Sequence, residues 1–180
     1  MVKLENKLKI RKIKIGILGG SFDPAHKGHL TISKEAIKKF DLKFIFWAIT
    51  NQNPFKEKSV NSLKERINLC KKIIKNNKFI KVKYFEDYIN SNKITDLINY
   101  LYKEQKYELF FLMGADNLIN FHKWHKWQNI LKKSKLIVFD RHGYKKKSLN
   151  SKTYKNTSEK KLTFVEFNKV NISSSQLRKI

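Results

Sequence analysis

Residues 13–40 read, in order, as a buried-type strand, a glycine turn and an amphipathic helix, and this order constrains the fold more than any other feature of the chain. Ile13 to Leu18 is a short apolar run of strand length, and Leu30, Ser33, Ile37 and Phe40 recur on one helical face within residues 28–40. Between them lies Gly19-Gly20-Ser21-Phe22-Asp23-Pro24-Ala25-His26-Lys27-Gly28-His29. A strand that runs into a helix through so short a turn is the first half of a right-handed crossover, whose next strand lies parallel to the first.

The alternation continues along the chain. Phe44 to Ile49 is a second strand, and a polar loop, Thr50 to Ser59, leads to a helix marked by Leu63, Ile67, Cys70 and Ile74. Phe79 to Phe85 alternates as a strand, and Ile94, Leu97, Ile98 and Leu101 form a helical stripe. Leu109 to Met113 and Leu136 to Phe139 are apolar strands, Leu162 to Phe167 is a last strand, and a short helix begins over Ser173 to Lys179. The polar, lysine-rich stretch 143–160 reads as a mobile surface loop. The pattern predicts an α/β fold, a Rossmann-like doubly wound parallel sheet with helices on both faces. It divides the chain into a basic N-terminal tail over residues 1–12 and a single domain over 13–180. Ligands of such sheets bind beyond the carboxyl ends of the strands, so a motif that directly follows a strand carries more weight than one elsewhere.

Charge is less informative than its size suggests. The formal net charge is +25, but of 40 basic residues only Arg11, Arg66, Arg141 and Arg178 are arginine. Abundant Lys, Asn and Ile with scarce Gly and Pro is the signature of an A/T-rich genome. The lysines are spread along the whole chain, as on a solvated surface, and no nucleic-acid partner is read from them. A retained arginine is more telling, because a planar two-pronged donor is not replaceable by lysine. Cys70 is the single cysteine, which excludes a disulfide framework, and its helical position points it inward. No run approaches the ~20 apolar residues of a membrane span, and residues 1–12 do not read as a signal peptide. A cytoplasmic location with no membrane partner is the expectation, and homo-oligomerisation is left open.

The segment Gly19 to His29 suits phosphate. Paired glycines let backbone N–H groups approach a bulky ligand, and the helix that follows favours anions at its start. His26 and His29, three residues apart, share a face and can donate to phosphate oxygens. The Gly-Lys-Ser/Thr ending of a P-loop is missing, and the G-x-G-x-x-G order of a dinucleotide fingerprint is not met. Later segments add to the same picture. Gly114-Ala115-Asp116-Asn117-Leu118 follows a strand and leads into Phe121-His122-Lys123-Trp124-His125-Lys126-Trp127. In Ile172-Ser173-Ser174-Ser175-Gln176-Leu177-Arg178, serines at a helix start precede an arginine one turn on, a pairing suited to a phosphate chain. His122 and His125 have a metal-compatible spacing, but no thiolate or third histidine lies nearby, and no metal site is read.

His-x-Gly-His after a Gly-Gly-Ser-Phe-Asp-Pro turn resembles the signature of the nucleotidyltransferase α/β phosphodiesterase superfamily. The chain is accordingly identified as a member with the HxGH-type nucleotidyltransferase fold. The Gly114 to Trp127 segment and the C-terminal Ser-Ser-Ser-x-Leu-Arg resemble the bacterial nicotinate-nucleotide adenylyltransferases. The resemblance runs from about Ile13 to the end of the chain. It implies adenylyl transfer from ATP to nicotinate mononucleotide, giving deamido-NAD and pyrophosphate in NAD biosynthesis, with Mg²⁺ carried on the ATP phosphates. By the same resemblance His26, His29 and Arg178 are catalytic. Gly19, Gly20, Ser21, Phe22, Gly28, Lys56, Gly114, Asp116, Arg141, Ser173 and Ser174 bind ATP, and Trp124 and Lys93 meet the nicotinate nucleotide. In three places the sequence departs from the family, the first being Arg141-His142-Gly143, where His142 stands for a usual proline. Phe55 stands in Asn53-Pro54-Phe55-Lys56 where a histidine is usual, and Asn92-Lys93-Ile94-Thr95-Asp96 replaces a Tyr-Thr-x-x-Thr pattern. The alternatives are a sister enzyme acting on nicotinamide mononucleotide or phosphopantetheine, and a basic nucleic-acid-binding protein without turnover.

Overall fold

The computed structural model describes residues 11–53 and 58–166. Fifteen elements run in the order β1 (Ile13–Gly20), α1 (Lys27–Phe40), β2 (Phe44–Ile49), α2 (Leu63–Ile74), β3 (Ile80–Tyr84), α3 (Glu86–Ile89), α4 (Ile94–Lys103), β4 (Tyr107–Gly114), α5 (Ala115–Leu118), a 3-10 turn (Phe121–Lys123), α6 (Trp127–Lys133), β5 (Ser134–Phe139), α7 (Lys145–Leu149), α8 (Lys152–Lys155) and β6 (Leu162–Val165). The strands form one sheet in the order β3-β2-β1-β4-β5-β6. Every neighbouring pair is parallel.

Burial on both faces explains why the strands read as continuous apolar runs rather than alternating ones. Ile15, Ile17, Phe46, Ala48, Leu109, Phe111, Met113, Leu136 and Val138 pack on one side with Leu97, Ile98 and Leu101 of α4 and Ile130 of α6. Leu18, Ile45, Trp47, Ile49, Phe110, Leu112, Ile137 and Phe139 pack on the other, where α1 and α2 bring Ala36, Cys70, Leu30, Ile37 and Ile67. Successive strand residues therefore feed opposite layers, as the pleat requires. Burial pushes the Cys70 thiol up to about 12, so it is a small core residue rather than a nucleophile.

Two readings change. The stretch 143–160 is not a mobile loop: it holds α7 and α8, with Ser148 and Thr153 fully buried. Ser148 Oγ donates to the Lys145 carbonyl at 2.8 Å, Ser151 Oγ caps α8 by accepting from the Tyr154 amide at 3.2 Å, and Tyr154 packs edge-on against Phe164. Ser148 and Ser151, satisfied by local backbone, and the small Thr153 can turn inward while lysines cover the outside, so mean polarity misrepresents the segment. β6 ends at Val165, and Phe167 and the helix expected over Ser173–Lys179 lie outside the described residues, as do residues 1–10 of the basic tail.

Gly16 marks the tightest point of the central strand. A Cβ there would stand 2.7 Å from Ile45 Cγ1, 3.1 Å from Leu42 Cδ1 and 3.2 Å from Leu112 Cδ1. Overpacking of this kind typically costs ~1–3 kcal/mol. Gly16→Ala is expected to lower unfolding stability by about 1–2 kcal/mol in urea denaturation, after allowing for the reduced freedom of the unfolded chain. An unchanged or raised midpoint would contradict the packing described.

Candidate active site

In a sheet of order 3-2-1-4-5-6 the direction of winding reverses between β1 and β4, and a crevice opens beyond their carboxyl ends. Three groups of side chains and loops collect there.

The first is the turn after β1. His26 is the N-cap of α1, and its Nδ1 accepts from the Gly28 amide at 3.1 Å. His29 returns the bond, its Nδ1 accepting from the His26 amide at 3.2 Å. The two imidazoles thus form a capping box, the role usually taken by Ser and Glu. An Nδ1 that accepts a backbone N–H leaves the neutral ring's proton on Nε2. Both rings are therefore set as Nε2–H donors, with centroids 3.9 Å apart. Gly28 is buried in the first turn of α1, and Phe22, behind the pair, is 2% exposed.

The second group encloses a cavity of about 460 Å³. Gly19 and Gly20 from the end of β1, Thr50 and Asn53 after β2, Glu86, the start of α4 from Lys93 to Thr95, and Phe111, Trp124 and His125 line it. Trp124 is braced by Phe121 at 5.2 Å and Phe111 at 6.1 Å. Thr95, buried to 1% exposure, donates to the His125 carbonyl and so fastens the Trp124 loop to the start of α4. No side chain caps α4, whose N-cap is Lys93.

The third group follows β4 and β5. Asp116 and Arg141 pair with each other at 2.5 Å. Gly114 lies close beside them: a Cβ there would stand 2.5 Å from Asp116 Oδ1 and would displace that carboxylate. The Arg141 guanidinium also lies over the Tyr144 ring at 5.7 Å.

Of the residues that the sequence singles out, the cavity brings together Gly19, Gly20, Lys93 and Trp124. His26, His29, Ser21, Phe22 and Gly28 lie with the first turn, and Gly114, Asp116 and Arg141 with the third group. Lys56, Ser173, Ser174 and Arg178 lie outside the described residues. Among the described residues no group of three or more His, Cys, Asp or Glu side chains could hold a metal ion. The nearby carboxylates are engaged elsewhere, Asp23 and Glu86 by protein donors and Asp116 by Arg141. This donor set fits a cation that arrives on a phosphate chain with water completing its shell.

Three residues were missed as parts of the site. Arg66 of α2, only 1% exposed, donates from Nη1 to the carbonyls of Ser21 and Thr50, each at 2.7 Å, from Nη2 to Asn51 at 2.8 Å and from Nε to Asn61 at 3.1 Å. One guanidinium thereby joins the histidine turn to both ends of the loop between β2 and α2. Asp23, 3% exposed, accepts from the Val60 and Asn61 amides at 2.7 and 3.2 Å and from Asn61 Nδ2 at 2.7 Å. Glu86 grips the start of the same loop, accepting from Thr50 Oγ1 at 2.5 Å and the Asn51 amide at 3.2 Å. Its other oxygen takes the Tyr84 hydroxyl at 3.3 Å, and burial followed by this carboxylate holds the Tyr84 pKa above its usual value. A signal for Arg66 was present in the sequence, as an arginine kept in a lysine-saturated chain, but nothing there named its acceptors.

Arg66→Met removes all four bonds, and water can reach only part of what is left. A loss of about 2–4 kcal/mol in unfolding stability is expected, and Arg66→Lys is expected to recover little, since one ammonium cannot span four carbonyls. Full recovery by lysine in a denaturation experiment would show that charge rather than the fork matters.

Comparison with known proteins identifies the family and the fold. The sequence profile described as cytidylyltransferase-like matches residues 17–180. A probable nicotinate-nucleotide adenylyltransferase of Pelagibacter ubique is 64% identical over the full length of both chains. One from a Ruegeria species is 37% identical over 72% of this chain and 68% of its own length. Among solved structures, the Plasmodium falciparum nicotinic acid mononucleotide adenylyltransferase complexed with NaAD superposes with a TM-score of 0.75 at 23% identity. The match covers 94% of this chain and 83% of the other, and it shows the shared fold. The chain belongs to the cytidylyltransferase-like family and, within it, to the nicotinate-nucleotide adenylyltransferases.

Proposed function

We infer that this protein transfers the adenylyl group of ATP to nicotinate mononucleotide, giving deamido-NAD and pyrophosphate as a step of NAD biosynthesis. The observation that carries this reading is the doubly histidine-capped turn beside a tryptophan-lined cavity, with Gly19 and Gly20 shared between them.

The chemistry asks little of the protein beyond placement and charge neutralisation. A phosphate oxygen of the mononucleotide attacks the α-phosphorus of ATP. That O–P bond forms as the bond from the α-phosphorus to the bridging oxygen of the β-phosphate breaks, and pyrophosphate leaves with the electron pair. The nucleophile is already an anion, so no general base is needed. His26 and His29 present Nε2–H groups to the α-phosphate oxygens, where negative charge builds. Ser21, Phe22, Gly28 and Lys56 complete the phosphate side, and Ser173, Ser174 and Arg178 hold the departing pyrophosphate. Gly114, Asp116 and Arg141 border the nucleotide, the carboxylate and guanidinium steadying each other. Mg²⁺, when carried on the ATP phosphates with water completing its shell, would supply positive charge to offset that of the leaving pyrophosphate.

The cavity takes the pyridine. Trp124 offers an indole for an electron-poor ring to stack on. The uncapped start of α4 and the Lys93 ammonium together form a cationic end suited to the nicotinate carboxylate. The family's Tyr-Thr-x-x-Thr contact is replaced here by Lys93, while Thr95 is engaged with His125. A carboxylate at this end gains a charge-assisted bond that a carboxamide lacks, on the order of 1.5 kcal/mol and so about tenfold in kcat/KM. No described helix is long and apolar enough to cross a membrane. Separately, the small-molecule substrates of the reaction and the even spread of lysines support a cytoplasmic enzyme with no nucleic-acid partner.

The test is pyrophosphate release with ATP, Mg²⁺ and one of nicotinate mononucleotide, nicotinamide mononucleotide or phosphopantetheine. Release is expected with the first, at least about tenfold lower kcat/KM with the second, and none with the third. Absence of release with every acceptor would overturn the enzyme reading. His29→Ala is expected to lower kcat by a factor on the order of 10².

A further inference from the structure

His29 is supported from behind by a hydrogen-bonded chain that starts in the sheet. Trp47, in the middle of β2, is fully buried, and its indole Nε1–H donates to Ser33 Oγ at 2.8 Å. Ser33, one turn along α1 from the histidine and also fully buried, donates its own hydroxyl proton to the carbonyl of His29 at 2.8 Å. The indole stacks on Phe22 with centroids 5.0 Å apart and an interplanar angle of 19°, and meets the His29 ring at 5.9 Å and 61°. Phe22 completes the wall, 4.8 Å from His29. It does so at a φ of 51°, a left-handed conformation that a bulky residue keeps only where its surroundings over-determine it.

The chemistry of this chain exceeds what packing requires. The layer around it is apolar, containing Leu18, Ile45, Ile49 and Phe110. Phenylalanine at 47 and alanine at 33 would fill most of the same volume with no polar group to satisfy. Buried pairs of this kind stabilise little in net terms, but they admit one orientation of each partner. The indole is thus fixed about its own axis, the Phe22–Trp47 wall with it, and the first turn of α1 is tied to β2 at the residue that carries Nε2–H. The His29 ring also meets His26, with centroids 3.9 Å apart.

We propose that Trp47 and Ser33 are positioning residues for His29: the Trp47 Nε1–H···Ser33 Oγ–H···O=C His29 chain, with the Phe22–Trp47 wall, fixes where the imidazole sits, while the His26 amide on Nδ1 sets its tautomer, so that Nε2–H is presented to the reacting phosphate. This rests on the adenylyl-transfer reading for its kinetic consequence but not for its structural one.

The test uses the full-length protein with Trp47→Phe, Ser33→Ala and the double substitution. Each single substitution is expected to lower kcat on the order of tenfold, with KM for ATP and for nicotinate mononucleotide within about twofold of wild type. Because both act through one chain, the double variant is expected to be no worse than the poorer single, whereas two independent losses would multiply. Long-range ¹H–¹⁵N spectra of the imidazoles give a readout independent of turnover. Wild-type His29 should show one set of imidazole resonances in the Nε2–H tautomer, and each variant should shift or broaden that set while the His26 amide on Nδ1 keeps the tautomer. In wild type the Trp47 indole N–H resonance should also shift when a non-hydrolysable ATP analogue binds, which needs no variant to fold. An unchanged kcat, a multiplicative double variant, His29 imidazole resonances identical to wild type in both variants or a silent Trp47 resonance would each overturn the proposal. If wild type released no pyrophosphate, the adenylyl-transfer reading would fail, and the two spectroscopic results would still decide the positioning claim.

Discussion

The parallel pairing of β1 with β4 is the constraint on which everything else rests. Ile13 to Leu18 run in register with Tyr107 to Leu112, and the chain winds outward from this pair in both directions. Helices after β1 and β2 cover one face, and α4 and α6 the other. Where the winding reverses, no helix can close over the strand ends, and an open crevice is left. Gly19-Gly20 and Gly114 end these two strands. The chain thus places small residues and exposed backbone where a ligand must approach.

A crevice formed by strand ends would be a poor catalyst if its loops were loose. Arg66, Asp23 and Glu86 fasten them with hydrogen bonds to backbone rather than with apolar contacts. A loop beside a polar ligand cannot be buried in core, so its carbonyls and amides need charged partners at fixed positions. Arg66 answers the carbonyls and the two carboxylates answer the amides. The histidines add a further economy, each capping α1 through Nδ1 and so keeping the neutral ring's proton on Nε2.

Much of this was legible in the sequence, for identifiable reasons. The strands were readable because a sheet covered on both faces needs unbroken apolar runs. The histidine turn was readable because its residues are adjacent in the chain and directly follow a strand. Arg66 was visible as an anomaly but not as a clamp, since its four acceptors come from residues 21 to 61 and only the fold brings them together. The pairing of Asp116 with Arg141 was hidden for the same reason, although each had been singled out alone. The Trp47–Ser33 bond was hidden because each residue fits its apolar face unremarked. The stretch 143–160 was misread because inward-facing Ser148 and Thr153 look polar to any average over the segment.

The central claim is that one crevice holds both halves of the reaction, phosphates at the histidine turn and pyridine in the Trp124 cavity. Deamido-NAD spans both halves, so a crystal structure of the enzyme with this product tests the claim most directly. The account predicts the pyridine ring against Trp124 with its carboxylate at the start of α4, and the adenylyl phosphate within hydrogen-bond reach of His26 and His29 Nε2. A pyridine ring outside the cavity, or a phosphate out of reach of both histidines, would contradict it.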